Sequence, residues 1–452
     1  MDTLRTSTYM IPVKLENEIG KYMLIHGYTG AVDIVSEEFI TKINLASSDN
    51  VFSKSMIQTL LKRGYLTTKT QEEEHAYVAR IAKALHRECD ILYTTFTWVV
   101  TYNCNFRCPY CFEGRDKKDG KNQLAFTKEQ VNIAYDAQDK IQPHKKLRKN
   151  VITLYGGEPL LAENKAVVNY IVEEGRKRGY TFVAVTNGYE IDHFLNLLAP
   201  DSIYKLQITI DGPKRIHDSR RIHHKDHNTF DKIVENVKLA LDKKVKVVVR
   251  MNSDDRNIEQ YTELKNYFSE KGFYSYSKFE FYSAILKDNN SVSPLEHKNL
   301  SFLSAQSFFD KQRQQEEKDQ DRDSDMYQNI YNALSKKTPI TFRSISCAAQ
   351  ANGCVLDPLG NIYPCWEVIG KKKYLKGTYS SEGVTWNHEV LNQWKNTDIG
   401  QKKPCNHCKY ALLCGGGCPY HNMLGENIQC AIFRKKFSIE VNRAYAKFKI
   451  NI

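Results

Sequence analysis

Cys104, Cys108 and Cys111 stand together in the short stretch CNFRCPYC, a C-x3-C-x2-C set. Thiolates are soft ligands suited to zinc and to iron–sulfur clusters, and a four-iron cluster ordinarily takes four of them. Three would leave one iron open to chelate a small molecule, as an unfilled position separates a catalytic metal from a closed structural one. A structural zinc loop, or three buried thiols, would use the same residues. Eight more cysteines follow far downstream, as Cys347-x6-Cys354-x10-Cys365 and Cys405-x2-Cys408-x5-Cys414-x3-Cys418-x11-Cys430. Two structural zinc sites are the plain alternative for that region. Cys89 stands apart from both groups and reads as a small buried hydrophobe.

The elements that must position these residues are legible around them. The β-branched run FTWVVT (96–101) delivers the three-cysteine loop, and five more strand-like runs follow: VITLY (151–155), TFVAVT (181–186), YKLQITI (204–210), KVVVRM (246–251) and KFEFYS (278–283). Amphipathic helical patterns lie between them. Thr127 and Gln130 form a capping-box pair, and Ile233, Val234, Val237 and Leu241 make an apolar stripe. Strands alternating with helices predict an α/β fold with a parallel sheet and crossover helices. Chemistry then belongs at the C-terminal ends of the strands. Those ends carry Gly156-Gly157-Glu158-Pro159, Thr186-Asn187-Gly188, Thr209-Ile210-Asp211-Gly212-Pro213 with His217, Asp218 and Arg221 beyond, and Arg250 with Asn252. Taken singly, each is as well read as a turn or ion-pair residue.

Upstream, residues 1–90 predict a small module: strands over 9–15 and 21–35, broken at Gly30, then helices over 36–45 and 53–63 that end at Gly64. A charged helical stretch spans 71–87. Downstream, KDNNSVSP predicts a loop, and the mixed-charge run from Asp310 to Gln328 predicts an exposed helix with no chemistry of its own. At 452 residues and 41% hydrophobic content the chain suffices for about three domains. No apolar run nears the ~20 residues of a membrane span, and the N-terminus has no signal-peptide core. Both point to the cytoplasm with no membrane partner, where cysteines serve as metal ligands rather than disulfides. The excess of 65 Lys+Arg over 53 Asp+Glu, +12 in all, is compatible with an acidic peptide or nucleic acid and reads first as a solvated basic surface.

CNFRCPYC, with aromatic Tyr110 just before the last cysteine, resembles the cluster loop of the radical S-adenosylmethionine (SAM) enzymes. The resemblance spans roughly residues 96–435 and implies a partial (β/α)6 TIM-like barrel. Gly156, Gly157, Glu158 and Pro159 match the family's GGEP motif, which faces the methionine ammonium of SAM. Tyr110, Thr186, Asn187, Thr209, Asp211, Arg221, Arg250 and Asn252 fall where the family contacts SAM or shapes the loop beside it; Thr209 stands where relatives often have Ser. The eight downstream cysteines, with Gly360 and the CGGGC bend, resemble the SPASM extension, though the x11 spacer before Cys430 is short. The resemblance assigns Cys347, Cys354, Cys365 and Cys418 to one auxiliary cluster and Cys405, Cys408, Cys414 and Cys430 to a second, for three [4Fe-4S] clusters in all. The N-terminal pattern resembles PqqD-like winged-helix domains that recognise precursor peptides. The implied domains are 1–90 (winged-helix-like), 91–310 (barrel), 311–342 (charged helical linker) and 343–452 (SPASM).

By this resemblance the chain is a maturase of ribosomally made peptides. SAM and an external flavodoxin- or ferredoxin-type reductant would yield a 5′-deoxyadenosyl radical that abstracts hydrogen from a leader-bearing precursor, closing a thioether or carbon–carbon crosslink. Two other readings stay open. Anaerobic sulfatase maturases, which make formylglycine, typically carry an Asp after the cysteine matching Cys365, where this chain has Trp366 and then Glu367. An iron–sulfur redox sensor binding DNA through the winged helix explains the cysteines and the charge but leaves GGEP without a role; nucleic acid is accordingly not an expected partner.

Overall fold

The computed structural model describes residues 4–45, 52–92, 94–113, 125–287, 301–316, 324–425 and 428–451. Apart from Lys287, the loop expected at KDNNSVSP falls outside them, as does the centre of the mixed-charge run, 317–323. The chain divides into two compact units, one of residues 1–90, 319–351 and 394–452, the other of 91–318 and 352–393. Among the described residues no helix is long and apolar enough to cross a membrane.

In the first unit, strands β1 (Met10–Lys14), β2 (Lys21–His26) and β3 (Val32–Ser36) form an antiparallel sheet in the order β1-β2-β3. Helices α1 (Glu37–Asn44), α2 (Lys54–Arg63) and α3 (Gln71–Leu92) follow. Ser36 and Ser53 cap α1 and α2 with side-chain oxygens that accept from Phe39 N and Met56 N. Cys89, on α3, is half-buried. The inner face of the sheet, Ile11, Val13, Met23 and Ile25, packs in one core with Ile330 and with Phe437 and Val441 of the long C-terminal helix Ile428–Ile450. Helix Asp325–Lys336 turns Tyr327, Ile330 and Ala333 into that core. Residues 4–90 thus share their core with segments more than two hundred residues downstream.

The second unit is built on a ten-stranded sheet. The six predicted strands are its parallel centre: β4 (Thr94–Thr101), β5 (Arg148–Gly156), β6 (Thr181–Thr186), β7 (Ile203–Thr209), β8 (Lys246–Ser253) and β9 (Phe279–Ile285), neighbours in that order. Phe96, Trp98, Ile152, Leu154, Phe182, Ile208 and Val249 are buried in one core with the crossover-helix residues Val131, Ile171, Ile233 and Val237. The crossover helices behave as their patterns predict: Thr127 and Gln130 close a reciprocal capping box, and Ile233, Val234, Val237 and Leu241 are buried. A seventh parallel strand, β10 (Gly353–Leu356), pairs with the outer side of β4, setting Cys354 opposite Phe96. An antiparallel meander, Asn361–Tyr363, Gly377–Tyr379 and Val384–Trp386, extends the sheet beyond it.

Candidate active site

The cysteine loop leaves β4 and is stitched into place by backbone. Arg107 N donates to Ile222 O (2.7 Å), His224 N donates to Asn105 O (2.9 Å), and Gly157 N and Glu158 N donate to Thr101 O (2.9 Å) and Asn103 O (2.8 Å). The last two bonds explain the paired glycines. Gly156 has φ +131°, and a Cβ on Gly157 would lie 2.2 Å from Asn103 O. Cys104 and Cys108 are half-buried and Cys111 is exposed, yet burial pushes all three thiols up, Cys104 far up and Cys111 to about 12; Glu158 and then Cys108 add to the shift at Cys104, Glu113 and then Cys108 to that at Cys111, while Arg221 opposes it at Cys108. Clustered sulfurs that resist ionising alone fit a cationic iron group, whose charge would offset their mutual repulsion.

Around the loop the strand-end residues converge. Arg221 Nη1 donates to Cys108 Sγ (3.3 Å) and Tyr110 Oη (3.4 Å). The Tyr110 hydroxyl donates to Asp211, whose other oxygen accepts from Asn252 N (2.9 Å). Asp211 is fully buried and faces Arg220 (3.5 Å), which pairs in turn with Asp254 (2.9 Å). Asp211 therefore holds Tyr110, Arg220 and the β8 end together rather than lining the cavity. Thr209, Arg221, Arg250 and Asn252 do line it, with Asn187 and Thr186 at the β6 end, in a pocket of about 940 Å³ at the C-terminal mouth of the sheet. The Nε atoms of Arg221 and Arg250 are buried without a partner, donors in place for a carboxylate or ribose.

Glu158 is fully buried, and its oxygens accept from Leu160 N (2.9 Å), Thr186 Oγ1 (2.6 Å) and Asn187 N (2.5 Å). Burial pushes its carboxyl up to about 7, against the three donors that favour the charged form. Its role visible here is to lock the β5 and β6 ends together, with Pro159 buried behind it. Glu158→Gln should turn an amide N–H toward these donors and lower SAM affinity by about tenfold, the cost of roughly one unsatisfied buried group; equilibrium dialysis with SAM checks this.

Asn105, Glu190 and Asn257 were not singled out in the sequence. Asn105 Oδ1 accepts from Asn187 Nδ2 (2.7 Å), its own Nδ2 donates to Glu190 (3.2 Å), and Asn257 Nδ2 donates to Asp211 O (2.8 Å). At the far wall Trp366 stacks on Tyr155 (5.3 Å, 16°) and Glu367 lies 3.8 Å from Lys287. His217 is buried, well below its ordinary pKa through desolvation and the two arginines, and places a neutral imidazole against Asp211 N (3.2 Å).

Among the downstream cysteines, burial pushes Cys414 up to about 11, with smaller contributions from Cys405, Cys430 and Cys408. Cys347 and Cys418 belong to the same unit as these four, whereas Cys354 and Cys365 belong to the unit that holds the pocket.

Comparison with known proteins agrees with this arrangement. The Radical SAM superfamily pattern matches residues 98–264. The cysteine-type anaerobic sulfatase-maturating enzyme of Clostridium novyi (strain NT) is 22% identical over 366 residues, 75% of this chain and 93% of that protein. Two solved structures share the fold: native anSMEcpe with bound AdoMet (TM-score 0.54, 18% identity, 78% of this chain and 99% of that one) and the same protein with AdoMet and Cp18Cys peptide (TM-score 0.52, 18% identity, 78% and 99%). With the three-thiol loop and the strand-end residues gathered at one mouth, residues 98–264 are a radical SAM domain, the kind of domain that works with SAM and iron–sulfur chemistry.

Proposed function

We propose that the enzyme modifies a ribosomally made peptide and closes a crosslink in it, most often a thioether from a substrate cysteine. The observation that carries this reading is the pocket. At about 940 Å³ it stands near the top of the ~300–1,000 Å³ range of small-molecule sites, with room for SAM and a substrate side chain together. The full-length relatives support a polypeptide substrate by their name, and one structural neighbour was solved with a peptide bound. When bound, SAM and the open-iron cluster supply a one-electron cleavage that delivers a hydrogen-abstracting 5′-deoxyadenosyl radical. The chain's own residues hold and exclude. Arg221 and Arg250 offer cationic donors to the cofactor's carboxylate and ribose, Gly156 and Gly157 let backbone approach it, and the stacked Tyr155 and Trp366 line the same pocket. An external one-electron reductant completes the system.

Formylglycine formation is the second reading, favoured by the sulfatase-maturase relatives. Against it, bulky Trp366 follows Cys365, and the next carboxylate, Glu367, faces Lys287. Reconstituted enzyme, SAM, reductant and the Cys-bearing peptide encoded beside its gene should give a product short of one hydrogen pair, formed in step with 5′-deoxyadenosine and unreactive to aldehyde reagents. An aldehyde product would establish the second reading instead.

For recognition, the N-terminal sheet offers the leader an edge. His26 N donates to Ala31 O, and alternation of the antiparallel ladder then turns the backbone of Ile34 outward, its side chain 41% exposed. A leader added as a strand at β3 raises the effective concentration of its core peptide at the pocket. Ile34→Pro should weaken leader binding, measured by fluorescence anisotropy, by about tenfold from a micromolar affinity near 8 kcal/mol, with cofactor cleavage unchanged. Unaltered binding would remove β3 as the leader site.

A further inference from the structure

Two kinds of residue line the pocket at the mouth of the sheet. Glu158, Thr186, Asn187 and Thr209 are polar and buried. Tyr155, Tyr282, Ile285, Leu286 and Trp366 instead offer rings and aliphatic surface, with Lys287 and Glu367 among them. Trp366 stands out in this second set, since it lines a cavity and is still 41% exposed. It opens a short turn, Trp366–Val368, that buried Val368 and Ile369 anchor. One face of the indole lies against Tyr155 in an offset parallel stack (5.3 Å, 16°), and among the described residues no second ring pairs with it. A large apolar surface left open in a cleft, on an anchored turn, is a surface for binding rather than for packing.

We propose that the free face of Trp366 holds an aromatic side chain of the substrate peptide, stacked as a third ring on the Tyr155–Trp366 pair, and so selects which residue of the peptide is brought into the pocket. Offset parallel rings are a favoured aromatic geometry, and a further ring on the stack gains a contact that an aliphatic chain does not. A cationic side chain, which indole faces also attract, would meet Lys287 here, and the turn's own carboxylate, Glu367, already lies 3.8 Å from Lys287. The buried polar groups suit the cofactor, whereas the exposed indole is placed for what enters after it. The inference rests on a peptide being the substrate, and is independent of which bond is formed in it.

The test uses reconstituted holoenzyme with saturating SAM and no reductant, so that no turnover occurs. N-acetyl-phenylalaninamide, N-acetyl-leucinamide and N-acetyl-lysinamide are the probes, with Kd read by saturation-transfer NMR. The phenylalanine amide should bind about fivefold or more tightly than either of the others. Trp366→Ala should erase that preference and Trp366→Phe should restore most of it. Tyr274→Ala, which removes an aromatic of like exposure (43%) outside the pocket, should leave it whole. With the peptide encoded beside the gene, Trp366→Ala should raise KM about tenfold and keep kcat within about threefold, the mark of lost binding rather than lost chemistry. Equal binding of the three amides, a preference for the leucine or lysine amide, or a preference that survives Trp366→Ala overturns the aromatic site. So does a SAM Kd that rises as much as KM in Trp366→Ala at wild-type iron content, which would give the indole to the cofactor's adenine. The peptide reading fails separately: a Trp366-dependent preference for the phenylalanine amide, in enzyme that modifies no peptide, would keep the aromatic site and move it to a small aromatic substrate.

Discussion

Replacing Cys104, Cys108 and Cys111 together with Ala should abolish 5′-deoxyadenosine formation while the reconstituted protein keeps about eight of about twelve irons, at four per cluster. The effect should be all-or-none, because an open coordination position would exist only while three thiolates held the group. The remaining eight cysteines, Cys347, Cys354, Cys365, Cys405, Cys408, Cys414, Cys418 and Cys430, lie more than two hundred residues downstream and have no part in the loop. Iron analysis beside chromatography of the reaction mixture reads both quantities from one preparation. Retained cleavage in the triple variant would relocate the chemistry. A total near four irons with stoichiometric zinc would replace the auxiliary clusters by structural zinc.

Gly157→Ala should be almost as damaging, although it removes no ligand. The added Cβ would meet Asn103 O at 2.2 Å, Asn103 C at 2.6 Å and Tyr102 O at 2.7 Å, all backbone of the segment entering Cys104. No flexible side-chain end can yield there, so the cysteine loop must move, and the Glu158 N to Asn103 O bond with it. Misplacing reacting groups by about an ångström costs on the order of a hundredfold in rate. The expected result is a loss of that size in SAM cleavage, with partial loss of the loop's own iron. By contrast, Gly179→Ala meets nothing within 4 Å but sits at φ +86°, so it should cost some stability while keeping wild-type cleavage, and it serves as the control for strain remote from the loop. Wild-type rates in Gly157→Ala would show that the loop and the Gly-Gly turn are not coupled as their hydrogen bonds indicate.

What could be read from the sequence was what short-range spacing encodes. The cysteine triplet, the Gly-Gly turn and six strand runs each declare themselves within about ten residues, and all six strands form within a few residues of their expected ends. Helix Asp325–Lys336 was hidden because its stripe of Tyr327, Ile330 and Ala333 directly follows a run of charges that dominates the local pattern. Nothing local says that Ile11 and Val13 will share a core with Phe437 and Val441. That sharing matters for experiment: deleting residues 1–90 would strip one wall from this core, so the recognition role is better probed by Ile34→Pro than by truncation. At the site, Glu158 and Asp211 were legible as important but not in how they act. A motif names a residue type, whereas the donors that occupy its oxygens, Thr186 Oγ1 and Asn187 N for Glu158 and Tyr110 and Asn252 N for Asp211, come from other strands.

The pairing of β10 with β4 imposes an order on biosynthesis. β4 is made early, and its outer edge, between buried Phe96 and Trp98, is not covered until residues 353–356 have left the ribosome. Throughout that interval the nascent chain presents an unpaired apolar edge, the kind that templates association between chains. Slow elongation, or a stop anywhere between the barrel and Gly353, prolongs it. Residues 353–356 therefore serve the strand that delivers the cysteine loop as an intramolecular cap.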